Sequence, residues 1–161
     1  MRHAIAENRD FARWPDDSVR PLTADGVDRF RRAARGLSEL VPRVDAVLSS
    51  GFARAWHTAE LLTEEAGWPE PGRCEALEAG RPPAEAVGVL QGREEGALAL
   101  VGHEPHLSLL ASLLLAGDED AVRTDLKKGG VISLVLPGRV EAGAAVLTWA
   151  ATPRLLRRLA R

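Results

Sequence analysis

The sequence predicts a three-layer α/β/α domain with a mostly parallel, mixed central sheet. Three observations carry this. Residues 44–50 and 97–101 are short apolar runs bounded by turn residues, the pattern of strands buried on both faces. Segments of helical period alternate with them along the chain. Near the C-terminus two further strand-like runs flank the glycine-containing stretch 138–143 and read as a hairpin. Strands alternating with helices stack a parallel sheet between two helical layers. The 161 residues suffice for one domain with one proper core, spanning 1–161.

The elements follow in order. Arg2 and His3 belong at the carboxyl end of a first strand, yet almost nothing precedes them. The expectation is a stub of a strand, or a start lying upstream. Residues 7–21 are polar and carry Pro15, Asp16, Asp17 and Pro21, a loop of the length that is often functional. Thr23 supplies a cap hydroxyl for a first helix, along which Val27, Phe30, Ala34, Leu37 and Val41 recur until Pro42 stops it. After the strand at 44–50, Gly51-Phe52 turns the chain into a helix over 53–66, closed by Gly67 and Pro69. Residues 74–77 are expected as a short strand, and Pro82-Pro83 opens a third helix to Gln91. Strand 97–101 leads to a strongly apolar helix from Pro105 to Leu115. Gly129-Gly130 turns into a strand over 131–136, a partner strand follows over 144–151, and 154–161 is a short basic helix or tail.

Composition removes several function classes. Net charge is −2 with no charged tail, and aromatic residues are few, with no Tyr, so neither a nucleic-acid footprint nor a base-stacking platform is present. Cys74 is the only cysteine, which excludes an internal disulfide and a CxxC metal site. The opening residues do not form a signal peptide, and the apolar run 107–116 falls far short of the ~20 residues that span a bilayer. A soluble cytoplasmic protein without membrane contact is the expectation. Lys127 and Lys128 are the only lysines; every other fixed cation is arginine, the better fork for phosphate oxygens.

Chemistry concentrates at strand ends. His3, Arg54 and His103 each fall just after a strand end, where open α/β sheets bind ligands. Arg2, His3, Arg54 and His103 are therefore expected to converge on one phosphoryl group. A neutral imidazole is abundant near pH 7 and can attack phosphorus, giving a phosphohistidine that water hydrolyses. Arginine forks and a protonated His103 would hold the equatorial oxygens, assisted by the amino-terminal ends of helices starting near Ala53 and Pro105. No metal or other cofactor is needed. His57, three residues beyond Arg54, is a candidate for the rim, as is Asn8. A metal site from His103, Glu104 and His106 is disfavoured because neighbours on one helix start diverge. Ser49-Ser50 lacks the G-x-S-x-G elbow of a serine nucleophile.

Together these stretches resemble the histidine phosphatase, or phosphoglycerate mutase-like, superfamily. Arg2-His3-Ala4 is similar to its Arg-His-Gly/Ala signature. Residues 49–59, Ser-Ser-Gly-Phe-Ala-Arg-Ala-Trp-His-Thr-Ala, are similar to its Ser-Ser-Pro-x-x-Arg-Ala-x-Gln-Thr-Ala stretch, with Gly51 for the proline and His57 for the glutamine. Val101-Gly102-His103-Glu104-Pro105 resembles its second histidine motif, and Arg20-Pro21-Leu22-Thr23 with Gly26 resembles the stretch before its first helix. The short chain looks most like the SixA branch of phosphohistidine phosphatases. The resemblance implies a phosphoglycerate mutase-like fold, His3 as the phosphorylated nucleophile, and Arg2, Arg54 and His103 as phosphate ligands. It also implies cofactor-free hydrolysis of phosphohistidine on a histidine phosphotransfer domain. The general acid is left between Glu78 and Glu104. A nitrogen leaving group is protonated more easily than an alkoxide, so this substrate class tolerates a weak acid.

Two alternatives stand beside that reading. One is the same chemistry on a small phosphorylated metabolite, favoured by a lidded pocket for which the 7–20 loop, with Trp14, is the available material. The other is a non-catalytic phosphate- or phosphoprotein-binding domain, which would need Arg2 and Arg54 but not both histidines.

Overall fold

Thr23 starts the first helix: its hydroxyl accepts the Gly26 N–H at 2.9 Å, satisfying one of the free donors of the first turn. This is a computed structural model, and it describes residues 1–160; Arg161, placed by the sequence in a terminal helix, lies outside them. Helix α1 (Ala24–Leu40) buries Phe30, Ala33, Ala34 and Leu37 along one face. Strand β1 (Ala46–Ser49) leads into α2 (Ala53–Ala66), which ends at Gly67 with φ of 68°, a left-handed closure that suits glycine. The chain continues through β2 (Pro71–Arg73), α3 (Pro83–Gln91), β3 (Leu98–Val101), α4 (His106–Ala116), β4 (Val131–Val135), β5 (Val146–Ala151) and α5 (Pro153–Leu159).

Strands β2, β1 and β3 form a parallel sheet in that order, with Val47 opposite Ala99 and Ser49 opposite Val101. Side chains alternate across it. Val47 packs into a core with α1, α2 and α5, while Leu48 points to the other face, against α3 and α4. These are the two helical layers the alternation predicts.

The second sheet is the antiparallel hairpin β4–β5. The opening residues stitch the two sheets together. Arg2 pairs with Gly102 as a parallel bridge; His3 N–H donates to the Gly102 carbonyl at 3.0 Å and Gly102 N–H to the Met1 carbonyl at 3.1 Å. On the other side Arg2 N–H donates to Gly130 O, and Gly129 N–H to Arg2 O, both at 3.1 Å. Behind Met1, whose terminal amino group donates to the Leu100 carbonyl at 2.5 Å, the facing edges of β3 and β4 leave an apolar groove lined by Leu98, Leu100, Ile132 and Leu134. Among the described residues this pairing is a single bridge at Arg2.

Several boundaries differ from expectation. Residues 74–77, expected as a strand, contain a 3₁₀ turn over Glu75–Leu77; the pairing residues lie just before it, in β2. Pro71 conceals this strand, since proline disfavours a sheet except at an edge, and β2 is an edge. The fourth helix begins at His106, with Pro105 as its cap residue, and the last strand begins at Val146, not 144. The 7–21 loop is not featureless: it holds a 3₁₀ turn over Asp17–Val19, capped by the Asp16 carboxylate on Ser18 N–H.

Candidate active site

The Arg2 bridge and the carboxyl ends of β1 and β3 deliver His3, Ser50 and His103 to one place. His3 is 5% exposed. Its Nδ1 lies 2.7 Å from the Ala4 carbonyl, which can only accept, so Nδ1 carries the hydrogen and Nε2 keeps its lone pair. Burial pushes the His3 pKa down to about 3; the Ala4 carbonyl opposes this and the fields of Arg54, Arg2 and Lys128 reinforce it. The ring is therefore neutral at neutral pH. The His103 ring sits 5.3 Å from it, centroid to centroid, and 5.0 Å from the Phe52 ring.

His103 is held by Ser50, whose Oγ lies 2.8 Å from Nε2. The same Oγ accepts the Phe52 N–H at 3.2 Å, so the hydroxyl proton is free to point at His103. Nδ1 of His103 is buried without a partner. Burial, then the Arg54 field, lowers its pKa to about 3, against a raising contribution from Asp17.

Arg54 stands in the first turn of α2, 3% exposed. Its guanidinium grips the 3₁₀ turn, donating from Nη1 to the Asp17 carbonyl at 2.7 Å and from Nη2 to Asp17 Oδ2 at 2.9 Å. It also lies over the Phe52 ring at 5.2 Å. Asp17 binds Arg20 Nε at 2.8 Å as well, and Arg20 reaches the Glu7 carbonyl at 2.7 Å. One acid thus fastens two arginines, which together hold its own pKa below the usual carboxylate range against the effect of burial. Thr58, a turn further along α2, donates to the Arg54 carbonyl and accepts the Ala4 N–H, tying the backbones beside His3 and Arg54 to one hydroxyl. Arg2 donates to the Leu126 carbonyl at 3.0 Å. The Nε atoms of Arg2 and Arg54 are, like His103 Nδ1, buried and unpartnered. Three idle polar atoms around a bare imidazole nitrogen suit an oxygen-rich anion.

The structure therefore brings Arg2, His3, Arg54 and His103 together. Other candidates are less central. Glu78 is half-buried and accepts from Arg73 Nη2 at 3.0 Å; the preceding Leu77 carbonyl packs against Gly102, which puts Glu78 beside the His103 strand end. Glu104 is engaged by Ser108, whose hydroxyl donates to Oε2 at 2.6 Å. His57 is half-buried on α2, and Asn8 is exposed on the loop. His106 is buried beside Pro82 and Glu85. Among the described residues no group of three His, Cys, Asp or Glu side chains is placed to hold a metal ion, and no helix is long and apolar enough to cross a membrane. Sequence reasoning passed over Asp17 and Lys128. The acid lies in a proline-flanked loop that could be flagged only as unusually long, and the lysine stood out only as part of the one lysine pair.

The buried histidines fix how stability depends on pH. Both have folded pKa values below the ordinary 6.5, and the Met1 ammonium is lowered from 8.0 to about 5, chiefly by burial. The unfolded chain then binds more protons, so these groups cost stability as pH falls through 8 and 6.5. The loss continues until each folded pKa is passed. Each such group removes about 1.4 kcal/mol per pH unit inside its window. Urea unfolding at pH 8, 6.5 and 5 should show a falling midpoint at constant slope; a midpoint independent of pH would contradict the buried, neutral state of these rings.

A family model described as "Histidine phosphatase superfamily (branch 1)" matches residues 1–78. An uncharacterized protein of Picosynechococcus sp. is 31% identical over 141 residues, covering 83% of this chain and 81% of the relative. The structure of the protein histidine phosphatase SixA complexed with tungstate superposes with a TM-score of 0.79 at 25% identity, covering 96% of this chain and 95% of that one. A phosphoserine phosphatase of Entamoeba histolytica shares the fold, with a TM-score of 0.67 at 16% identity and 96% of each chain covered.

Proposed function

The chain belongs to the histidine phosphatase superfamily, and from that premise we propose that it hydrolyses phosphohistidine on a cytoplasmic signalling protein through a phosphorylated His3. The observation that carries the reading is the Nδ1 contact of His3 with the Ala4 carbonyl, which leaves Nε2 unprotonated among Arg2, Arg54 and His103. In the first step the Nε2 lone pair attacks phosphorus, a P–N bond forms to His3, and the P–N bond to the substrate imidazole breaks. The departing nitrogen takes a proton, for which Glu78 is better placed than Glu104, already engaged by Ser108. In the second step water attacks phosphorus, gives up a proton, and phosphate leaves His3 free. Arg2 and Arg54 hold the equatorial oxygens throughout, the positioning and charge stabilisation that phosphoryl transfer mainly requires. The dianion also favours protonation of His103, adding a donor where the empty site has a neutral ring.

A protein substrate fits the rim. Phe11 is 69% exposed on the loop that carries Arg9, with the Arg9 guanidinium 5.0 Å above its ring, so the loop offers an apolar, cationic outer surface. The fold shared with a phosphoserine phosphatase keeps the small-metabolite reading as the second one.

Phosphoenzyme trapping tests the chemistry. Wild type incubated with a labelled phosphoramidate donor and quenched should carry an acid-labile, base-stable label that His3→Ala lacks. Turnover with equal labelling of both proteins, or with none, would remove His3 from the mechanism.

A further inference from the structure

The segment just before β4 brings a cation that neither the motifs nor the proposed mechanism uses. Residues 126–130 wrap the backbone of the nucleophile. Arg2 N–H donates to Gly130 O, Gly129 N–H is shared between the carbonyls of Arg2 and His3 at 3.1 and 3.0 Å, and the Arg2 guanidinium returns to Leu126 O at 3.0 Å. Gly130 N–H closes the turn on Lys127 O at 2.7 Å. The turn is built for this path. Gly129 has φ of 78°, where a Cβ would also press on the Phe30 ring at 3.3 Å, and a Cβ on Gly130 would come within 2.9 Å of Lys127 O. Lys128 is therefore carried on a turn flanked by Leu126, which accepts from Arg2, and Gly129, which donates to Arg2 and His3.

The charges that reach it are cationic. Lys128 is half-buried, and the fields of Arg2, Arg20 and Arg54 reach it; burial first, then those three fields, hold its ammonium below the ordinary lysine range. Its own field reaches His3 in turn. The adjacent Lys127 points elsewhere and pairs with Asp125 at 2.5 Å, whereas among the described residues no carboxylate is ion-paired with Lys128. Asp17 is the one acid ion-paired with this group, and it is already shared between Arg20 and Arg54. Four cations facing one carboxylate repel one another, an arrangement that a doubly charged anion relieves.

We propose that Lys128 is a further phosphate-binding residue of this site, carried to it by the turn that binds the backbone of Arg2 and His3. This rests on the phosphatase reading and adds one residue to it. A lysine there acts as a point charge with three donors, in a pocket whose other cations are planar forks.

The test is binding of inorganic phosphate by titration calorimetry at fixed low ionic strength, to wild type, Lys128→Met, Lys128→Arg, Lys127→Met and Arg54→Ala. A hydrogen bond to a charged group is worth roughly 1.5–3 kcal/mol, so Lys128→Met should weaken phosphate binding by about 10- to 100-fold. Lys128→Arg should keep most of the affinity, and Lys127→Met should match wild type. If wild type binds phosphate, Arg54→Ala loses it, and Lys128→Met binds as wild type does, the Lys128 assignment is overturned and the phosphatase reading stands. If wild type fails to bind phosphate, the pocket reading itself falls. Matching thermal unfolding of wild type and Lys128→Met shows that any loss follows the charge and not the fold.

Discussion

Arg54→Ala should lower kcat/KM by about a thousandfold, the scale of removing one preorganised donor from a developing anionic centre. The guanidinium has two jobs at once. It faces His3 and His103 strongly enough to lower both of their pKa values, and it holds the 3₁₀ turn through the carbonyl and carboxylate of Asp17. Truncation removes the charge and releases Asp17, leaving an acid at the edge of a pocket meant for an anion. Arg54→Lys restores the charge but not the fork that binds Asp17 in two places, so it should recover less than tenfold of the loss. Steady-state kinetics on a phosphoramidate decide the matter: an Arg54→Ala enzyme within tenfold of wild type would mean that Arg54 is structural only.

Gly36→Ala should produce the largest stability loss of any single methyl addition to α1. In an exposed helix the change would gain about 1 kcal/mol from propensity. Here a Cβ would stand 1.8 Å from the Leu156 carbonyl oxygen and 2.7 Å from its carbon, both backbone atoms of α5. No rotamer relieves a main-chain collision, so α5 must move away from a core in which Leu156 is fully buried. Overpacking typically costs 1–3 kcal/mol, and a backbone clash belongs at or above the top of that range, about 3 kcal/mol. For a chain of this size that lowers Tm by roughly 6–12 °C. Calorimetry checks it, and an unchanged or raised Tm would show that α1 and α5 are not in this close contact.

The elements whose order could be read from the chain were those with strong local signals. Thr23 with the 3.6-residue period of α1, and Gly67 closing α2, needed no tertiary information. Strand β2 was hidden because Pro71-Gly72-Arg73 has no strand propensity and pairs only because β1 offers it an edge. The same division runs through the site. Arg2, His3, Arg54 and His103 were legible because each follows a strand end. Asp17 was not, since its role depends on a loop folding back over α2 to meet Arg54, 37 positions away. Nor was Lys128, whose meaning comes from hydrogen bonds that Gly129 makes to residues at the opposite end of the sequence. The groove between β3 and β4 is a property of the assembled strands and has no local signal in the sequence.

The stitching of Arg2 and His3 between two sheets also sets a timetable. Arg2 and His3 lie far along the sequence from their backbone partners Gly102, Gly129 and Gly130. Closing so long a loop spends chain entropy before any contact repays it. A segment ending before residue 129 offers Arg2 and His3 only the bonds to Gly102, so the backbone around the imidazole is held on one side alone until the turn before β4 is in place. Both sides of that backbone are fastened only when the β4–β5 hairpin, within the last fifth of these 161 residues, docks against Arg2 and His3.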